Sequence, residues 1–168
     1  MTGDTATAGE RLRSILAATA AAGGEATAQA VGRVIAVGWA TVELDRAGDE
    51  LAGALGTAPS SFAPAAGSEA LGAHARIAPG ALDGRAALVL LEPSTEGRLA
   101  ARLARHGEGP VAVWYEAVAM GDPTTSGVAP LEPPSSGPFG PERAVRAPAG
   151  DTGPYRFIVA PGAGTIRP

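Results

Sequence analysis

The chain has 168 residues, 45% of them hydrophobic and 18% charged, and a formal net charge of −4. That is enough apolar material for one domain or two small fused modules, and it argues against global disorder. It contains no cysteine, lysine or asparagine, so all 13 basic residues are arginine; Schiff-base lysine chemistry, thiolate nucleophiles, disulfides, iron–sulfur clusters and cysteine-held zinc are excluded.

From the N-terminus, residues 1–9 read as a frayed polar lead. The segment from Glu10 to Ala22 reads as a helix with Leu12, Ile15, Leu16 and Thr19 on one narrow face, stopped by Gly23-Gly24. Val34 to Val42, with Trp39 inside, is β-branched and apolar and reads as a buried strand. Leu44, Ala47, Leu51 and Leu55 then keep helical spacing up to a Gly56 stop. A weak extended segment spans Ser60 to Ala65. A strand over Leu71 to Ile77 alternates so that Leu71, Ala73, Ala75 and Ile77 share one face, with His74 and Arg76 on the other. Ala86 to Leu91 is a further strand. Ser94 or Thr95 offers a cap for a helix that ends at His106-Gly107. Val111 to Val118 is a strong strand. Residues 121–141 are rich in proline, glycine and serine and read as a long loop, followed by a short edge strand at Arg143 to Arg146 and a last strand at Tyr155 to Ala160.

The absence of a dense basic run in an acidic chain argues against a nucleic-acid partner. No stretch reaches the roughly 18 apolar residues of a membrane span, and Asp4 and Glu10 precede the first arginine, unlike a secretory leader. The expectation is a cytoplasmic protein with neither nucleic-acid nor membrane partners.

The element order, together with three local matches, resembles the vicinal oxygen chelate superfamily of glyoxalase I, methylmalonyl-CoA epimerases, extradiol dioxygenases and bleomycin-resistance proteins. VGWATVELDRA at 37–47 looks like the strand-to-helix opening of a module. LVLLEPSTEGRLAARLARHGEGP at 88–110 looks like the epimerase-type passage of an "ELLEP" strand, a helix and "GxG". The strand at 111–117 sits where a second module opens. The resemblance covers roughly residues 34–117. It implies an α+β fold, a curved mixed sheet of βαβββ type forming a cupped half-barrel with a reduced second module. The implied division is an N-terminal extension at 1–33, a first module at 34–108 and a second at 109–168. Half-barrels of this type pair to close the cup, so a homodimer is expected.

The family's usual mechanism uses a divalent metal on four protein ligands. The matching positions here are Ala36, Val89, Val111 or Ala112, and the stretch Phe157 to Ala160. None offers an oxygen or imidazole donor. The expectation is a protein with no metal and no cofactor.

What is left for chemistry is acid–base and electrostatic. His74 is a candidate general base, with Arg76 on the same strand face to steady negative charge; the plain structural alternative for both is a solvated sheet face. Tyr115 and Glu116 are candidate proton carriers that point to opposite faces, so at most one meets a pocket. Trp39, Trp114 and Tyr155 are candidate ligand-binding walls or core fillers. His106 suits a helix C-terminus, Glu43 and Asp45 a helix start, and Glu92 a turn.

These residues imply an isomerase-, lyase- or cyclase-type enzyme that acts by proton transfer, without metal, on a small, largely apolar or aromatic metabolite. The alternative is a non-catalytic binding or sequestering protein of the same fold. A third reading, a structural or regulatory subunit with its pocket filled by side chains, would show a closed, dry core.

Overall fold

The computed structural model describes residues 5–24, 32–82, 84–117, 131–146 and 152–162. Among the described residues three helices accompany eight strands: α1 (Thr5–Gly24), β1 (Gly32–Ala40), α2 (Leu44–Leu55), β2 (Ala63–Ser68), β3 (Ala73–Leu82), β4 (Ala86–Pro93), α3 (Arg98–His106), β5 (Gly109–Ala117), β6 (Ser135–Gly137), β7 (Gly140–Ala144) and β8 (Tyr155–Val159), with a 3₁₀ turn at Pro59–Ser61. The strands form one mixed sheet in the order β2-β3-β4-β1-β5-β8-β7-β6. β1 and β5 run antiparallel at its centre; β4 lies parallel to β1 and β8 parallel to β5. Each half therefore repeats the same order outward from the centre: first, fourth, third, second strand.

The sheet curls until its outer strands meet. The Glu69 amide at the end of β2 donates to the Ser136 carbonyl on β6 at 3.0 Å, and the Ser136 amide donates to Glu69 Oε2 at 3.0 Å. The result is a cup that is nearly a closed barrel, as the resemblance implied.

Alternation along the strands sorts the apolar residues into two cores. The inner one gathers Ala36, Ala75, Val89, Leu91, Ala112, Trp114 and Phe157 from strands of both halves. The outer one packs Val37, Ala78, Leu88 and Leu90 under Ala47, Leu51 and Leu55 of α2 and Leu12 and Leu16 of α1. Gly56 ends α2 in the left-handed region (φ 72), which a glycine enters without penalty.

α1 runs longer at both ends than its hydrophobic spacing indicated, and its packing stripe is narrower: Leu12 and Leu16 are buried while Ile15 is 41% exposed. The Thr19 hydroxyl turns back to the Ile15 carbonyl at 2.8 Å. Arg13 ties α1 to α2 by donating to the Leu55 carbonyl at 3.0 Å, one of the carbonyls a helix end leaves unmatched.

Residues 135–141 are not the expected loop: they hold β6 and the start of β7, a hairpin paired Ser135 to Glu142 and Gly137 to Gly140. β7 is also no edge strand, since it lies between β6 and β8. The prolines misled because Pro138 sits in the hairpin turn and Pro141 at the second residue of β7. Residues 121–130 of the expected loop lie outside the described residues. The α3 cap also differs. Gly97 stands at the N-cap with no side-chain bond, and the Leu99 amide donates to the Leu71 carbonyl at 3.2 Å instead. Glu92 caps a different helix: its Oε2 accepts from the Leu44 amide at the start of α2, at 2.9 Å.

Candidate functional site

The inner core contains one buried carboxyl group among the described residues, that of Glu142 at the middle of β7. Backbone pairing fixes it between Ser135 on β6 and Val159 on β8. Its Oε1 accepts a hydrogen bond from the Ser68 hydroxyl on β2 at 2.6 Å, and its Oε2 accepts one from the Trp114 indole N–H on β5 at 2.7 Å. All three side chains are buried. The carboxyl thus joins strands from the two halves of the cup at the point where they close.

Small residues make room for this arrangement. The Glu142 side chain lies across Gly137, where any Cβ would overlap the carboxylate. The Trp114 ring lies against Gly38 of β1, where a Cβ would come within 2.8 Å of the ring and 3.1 Å of Leu91. Trp114 stacks on Phe157 with centroids 5.3 Å apart, and Phe139 meets it edge-on at 5.9 Å. The interior around the carboxyl is therefore filled by aromatic and aliphatic side chains.

Burial pushes the Glu142 carboxyl up to about 7 from an ordinary 4.5; the bonds from Ser68 and Trp114 pull against that, and the nearby Glu69 charge adds to it. At neutral pH the group is poised between its acid and its base form, and both forms are served. The carboxylate accepts from both neighbours. The neutral acid can donate to the Ser68 oxygen while accepting from Trp114.

Ser68 also lines a depression of ≈ 470 Å³ at the cup's rim, shared with Glu69, His74, Ser94, Thr95 and Ser136.

The residues singled out from sequence are dispersed. His74 is exposed at that rim, on the strand face opposite Ala73 and Ala75. Arg76 lies on the same outer face and pairs with Asp45 of α2 at 2.6 Å, so it points away from the interior. Tyr115 is fully buried with Val113 on the outer face; its hydroxyl has no hydrogen-bond partner among the described residues, and burial pushes it up to about 12. Glu116 shares the inner-face parity of Trp114 but stands near the strand end. There Arg33 (2.6 Å) and the Gly162 amide hold its carboxyl below the usual range. Trp39 packs against the outer core and Trp114 fills the inner one, so the two indoles are walls of different spaces. Tyr155 is half-buried at the edge of the inner core, with the Arg102 guanidinium over its ring at 5.9 Å.

Glu142 and Ser68 were missed. The available signal was alternation: extending the Arg143 strand back two residues puts Glu142 and Ala144 on one face. The flanking prolines and glycines hid it.

Of the positions that the resemblance matches to metal ligands, Ala36, Val89, Val111, Ala112, Phe157 and Val159 lie in the inner core. Hydrocarbon side chains provide no ligand atoms, so this donor set does not fit a divalent ion. No group of three or more His, Asp or Glu residues with the geometry to hold a metal occurs among the described residues.

No protein-family model and no curated protein sequence matches the chain. Solved structures do. A Streptomyces coelicolor methylmalonyl-CoA epimerase variant in complex with 2-nitronate-propionyl-CoA superposes with a TM-score of 0.56 at 21% identity, over 79% of this chain and 96% of that one. Methylmalonyl-CoA epimerase from Mycobacterium tuberculosis gives 0.57 at 21%, over 79% and 90%. A hypothetical protein from Bacillus halodurans gives 0.56 at 17%, over 76% and 93%. The fold is shared with these methylmalonyl-CoA epimerase structures, one of the groups that the sequence resembles.

Proposed function

We propose that this chain is an enzyme of the isomerase type that moves a proton on a small, largely apolar carbon acid without a metal, and that Glu142 takes and returns that proton. The observation that carries the reading is the Glu142 carboxyl: the one buried carboxyl among the described residues, held near neutral beside Ser68 and Trp114 in an otherwise largely apolar cup interior. Perturbed carboxyl groups of this kind concentrate at functional sites, and a base is most effective when its pKa lies near the working pH. The similar epimerase structures support the reaction class through their fold.

Glu142 is fully buried behind Ser68, so this scheme requires the Glu69–Ser136 bonds between β2 and β6 to part and admit the substrate from the rim depression. The carboxylate removes a proton from the carbon next to a carbonyl group. The C–H electron pair moves into the enolate, and Glu142 now carries the proton. Its return to a neighbouring carbon on the same face of the enolate gives the isomer and restores the carboxylate.

The test is solvent exchange. A panel of small apolar ketones and acyl thioesters is incubated with the protein in D₂O, and deuterium at the α-carbon is followed by proton NMR. The wild-type chain is expected to exchange at least one member of the panel, and Glu142→Gln to lose about 10²–10⁴-fold of that rate while keeping its circular dichroism spectrum. Exchange by Glu142→Gln at the wild-type rate contradicts the assignment. His74→Ala, Tyr115→Phe and Glu116→Gln run beside it weigh the other candidate proton carriers.

A second reading, non-catalytic binding of a small apolar ligand, is favoured by a different feature. A groove of ≈ 500 Å³ between α1 and the sheet has Leu16, Val34 and Val37 on its floor and Arg13 and Arg85 at its rim. Under that reading a ligand binds and is recovered undeuterated and unchanged.

A further inference from the structure

We propose that the groove between α3 and the chain entering β8 is a binding site for the phosphate end of a small phosphorylated molecule. The groove measures ≈ 310 Å³, the scale of a small-molecule headgroup, and Arg98, Arg102, Arg105, His106 and Arg156 all line it. No carboxylate among the described residues lines it. This runs against the chain's net charge of −4.

The arginines of α3 sit at spacings of four and three, so their side chains share one helix face, where like charges repel. Arg98 is compensated: its two terminal nitrogens bond both oxygens of Glu132 at 3.0 and 2.9 Å. Among the described residues Arg102 is held only by neutral groups. It donates to the carbonyls of Thr152 and Gly153, each at 3.3 Å, and lies over the Tyr155 ring. Arg105 is exposed at the rim and has no ion pair among the described residues. Attraction to the C-terminal end of the helix accounts for Arg105 and His106. It leaves unexplained why the Thr152–Gly153 segment pins Arg102 in place. A tetrahedral dianion does explain it, because fixed guanidinium forks match phosphate oxygens. A long polyanion is disfavoured by the acidic remainder of the surface.

Isothermal titration of the full chain with inorganic pyrophosphate and with phenyl phosphate, at constant ionic strength, tests this. Saturable binding is expected with at least one probe. Arg105→Gln, an exposed change, should weaken it about tenfold, as loss of one charged hydrogen-bonding group does; Arg102→Gln with Arg105→Gln should abolish it. Arg11→Gln on α1 should leave it unchanged. Absence of saturable binding by both probes, or equal binding by wild type and Arg105→Gln, overturns the proposal. Tighter binding of poly-glutamate or single-stranded DNA than of phenyl phosphate overturns it in favour of a macromolecular partner.

Discussion

Glu142 is costly to the folded chain whenever it is ionised, because no cation neutralises it: its partners are a hydroxyl and an indole N–H. That cost has a direction with pH. Below the ordinary value of 4.5 both folded and unfolded chains hold the proton. Between 4.5 and about 7 the folded chain keeps a proton that the unfolded chain has lost, so stability falls as pH rises and levels off above 7. Across that window this one group removes about 3 kcal/mol. Glu142→Gln keeps the shape, can donate to the Ser68 oxygen and can accept from Trp114, but does not ionise. Urea denaturation of the two proteins from pH 4.5 to pH 8 should show them close at the acid end and the variant about 3 kcal/mol more stable at the alkaline end. Parallel curves would mean that the carboxyl titrates as an ordinary one. The alternation rule had located His74 and Arg76 on one strand face correctly, yet it could not say which face looks inward. That choice depends on where α1 and α2 settle, which is a tertiary fact.

At the scale of elements, helix periodicity was the dependable signal. Ala47, Leu51 and Leu55 of α2 are all buried, as their spacing indicated, and Gly56 ends the helix. Among strands, apolar runs such as those of β4 and β5 were legible because they are buried on both faces. β6 and β7 were not, since glycine, proline and serine supply most of their residues and their burial comes from neighbours rather than from their own side chains. α1 is anchored by two leucines, Leu12 and Leu16. Leu16 is completely buried between α2 and the sheet. Leu16→Ala should cost about 2–5 kcal/mol in urea unfolding, whereas Ile15→Ala, at a mostly exposed position, should cost well under 1 kcal/mol. Equal costs for the two would mean that α1 packs by a different face.

On the scale of the whole molecule, the cup is built from two four-stranded halves related across the β1–β5 pair, and β2 and β6 close it within one chain. Closure therefore does not call for a second copy. The expected homodimer remains a separate proposal, to be settled by sedimentation. The two-half plan could be read from local motifs, because those motifs lie in the strands that form the cup's centre. The Glu142–Ser68–Trp114 cluster could not. Its members are separated by 74 and 28 residues and meet only when the barrel closes. The proposed chemistry depends on that cluster, so its ionisation is the most direct measurement. With glutamate labelled at the carboxyl carbon and the Glu142 signal assigned by its loss in Glu142→Gln, a ¹³C NMR titration reads the group alone. The account predicts a midpoint near 7; a midpoint near 4.5 would show an ordinary carboxylate and contradict a role for Glu142 as the proton carrier.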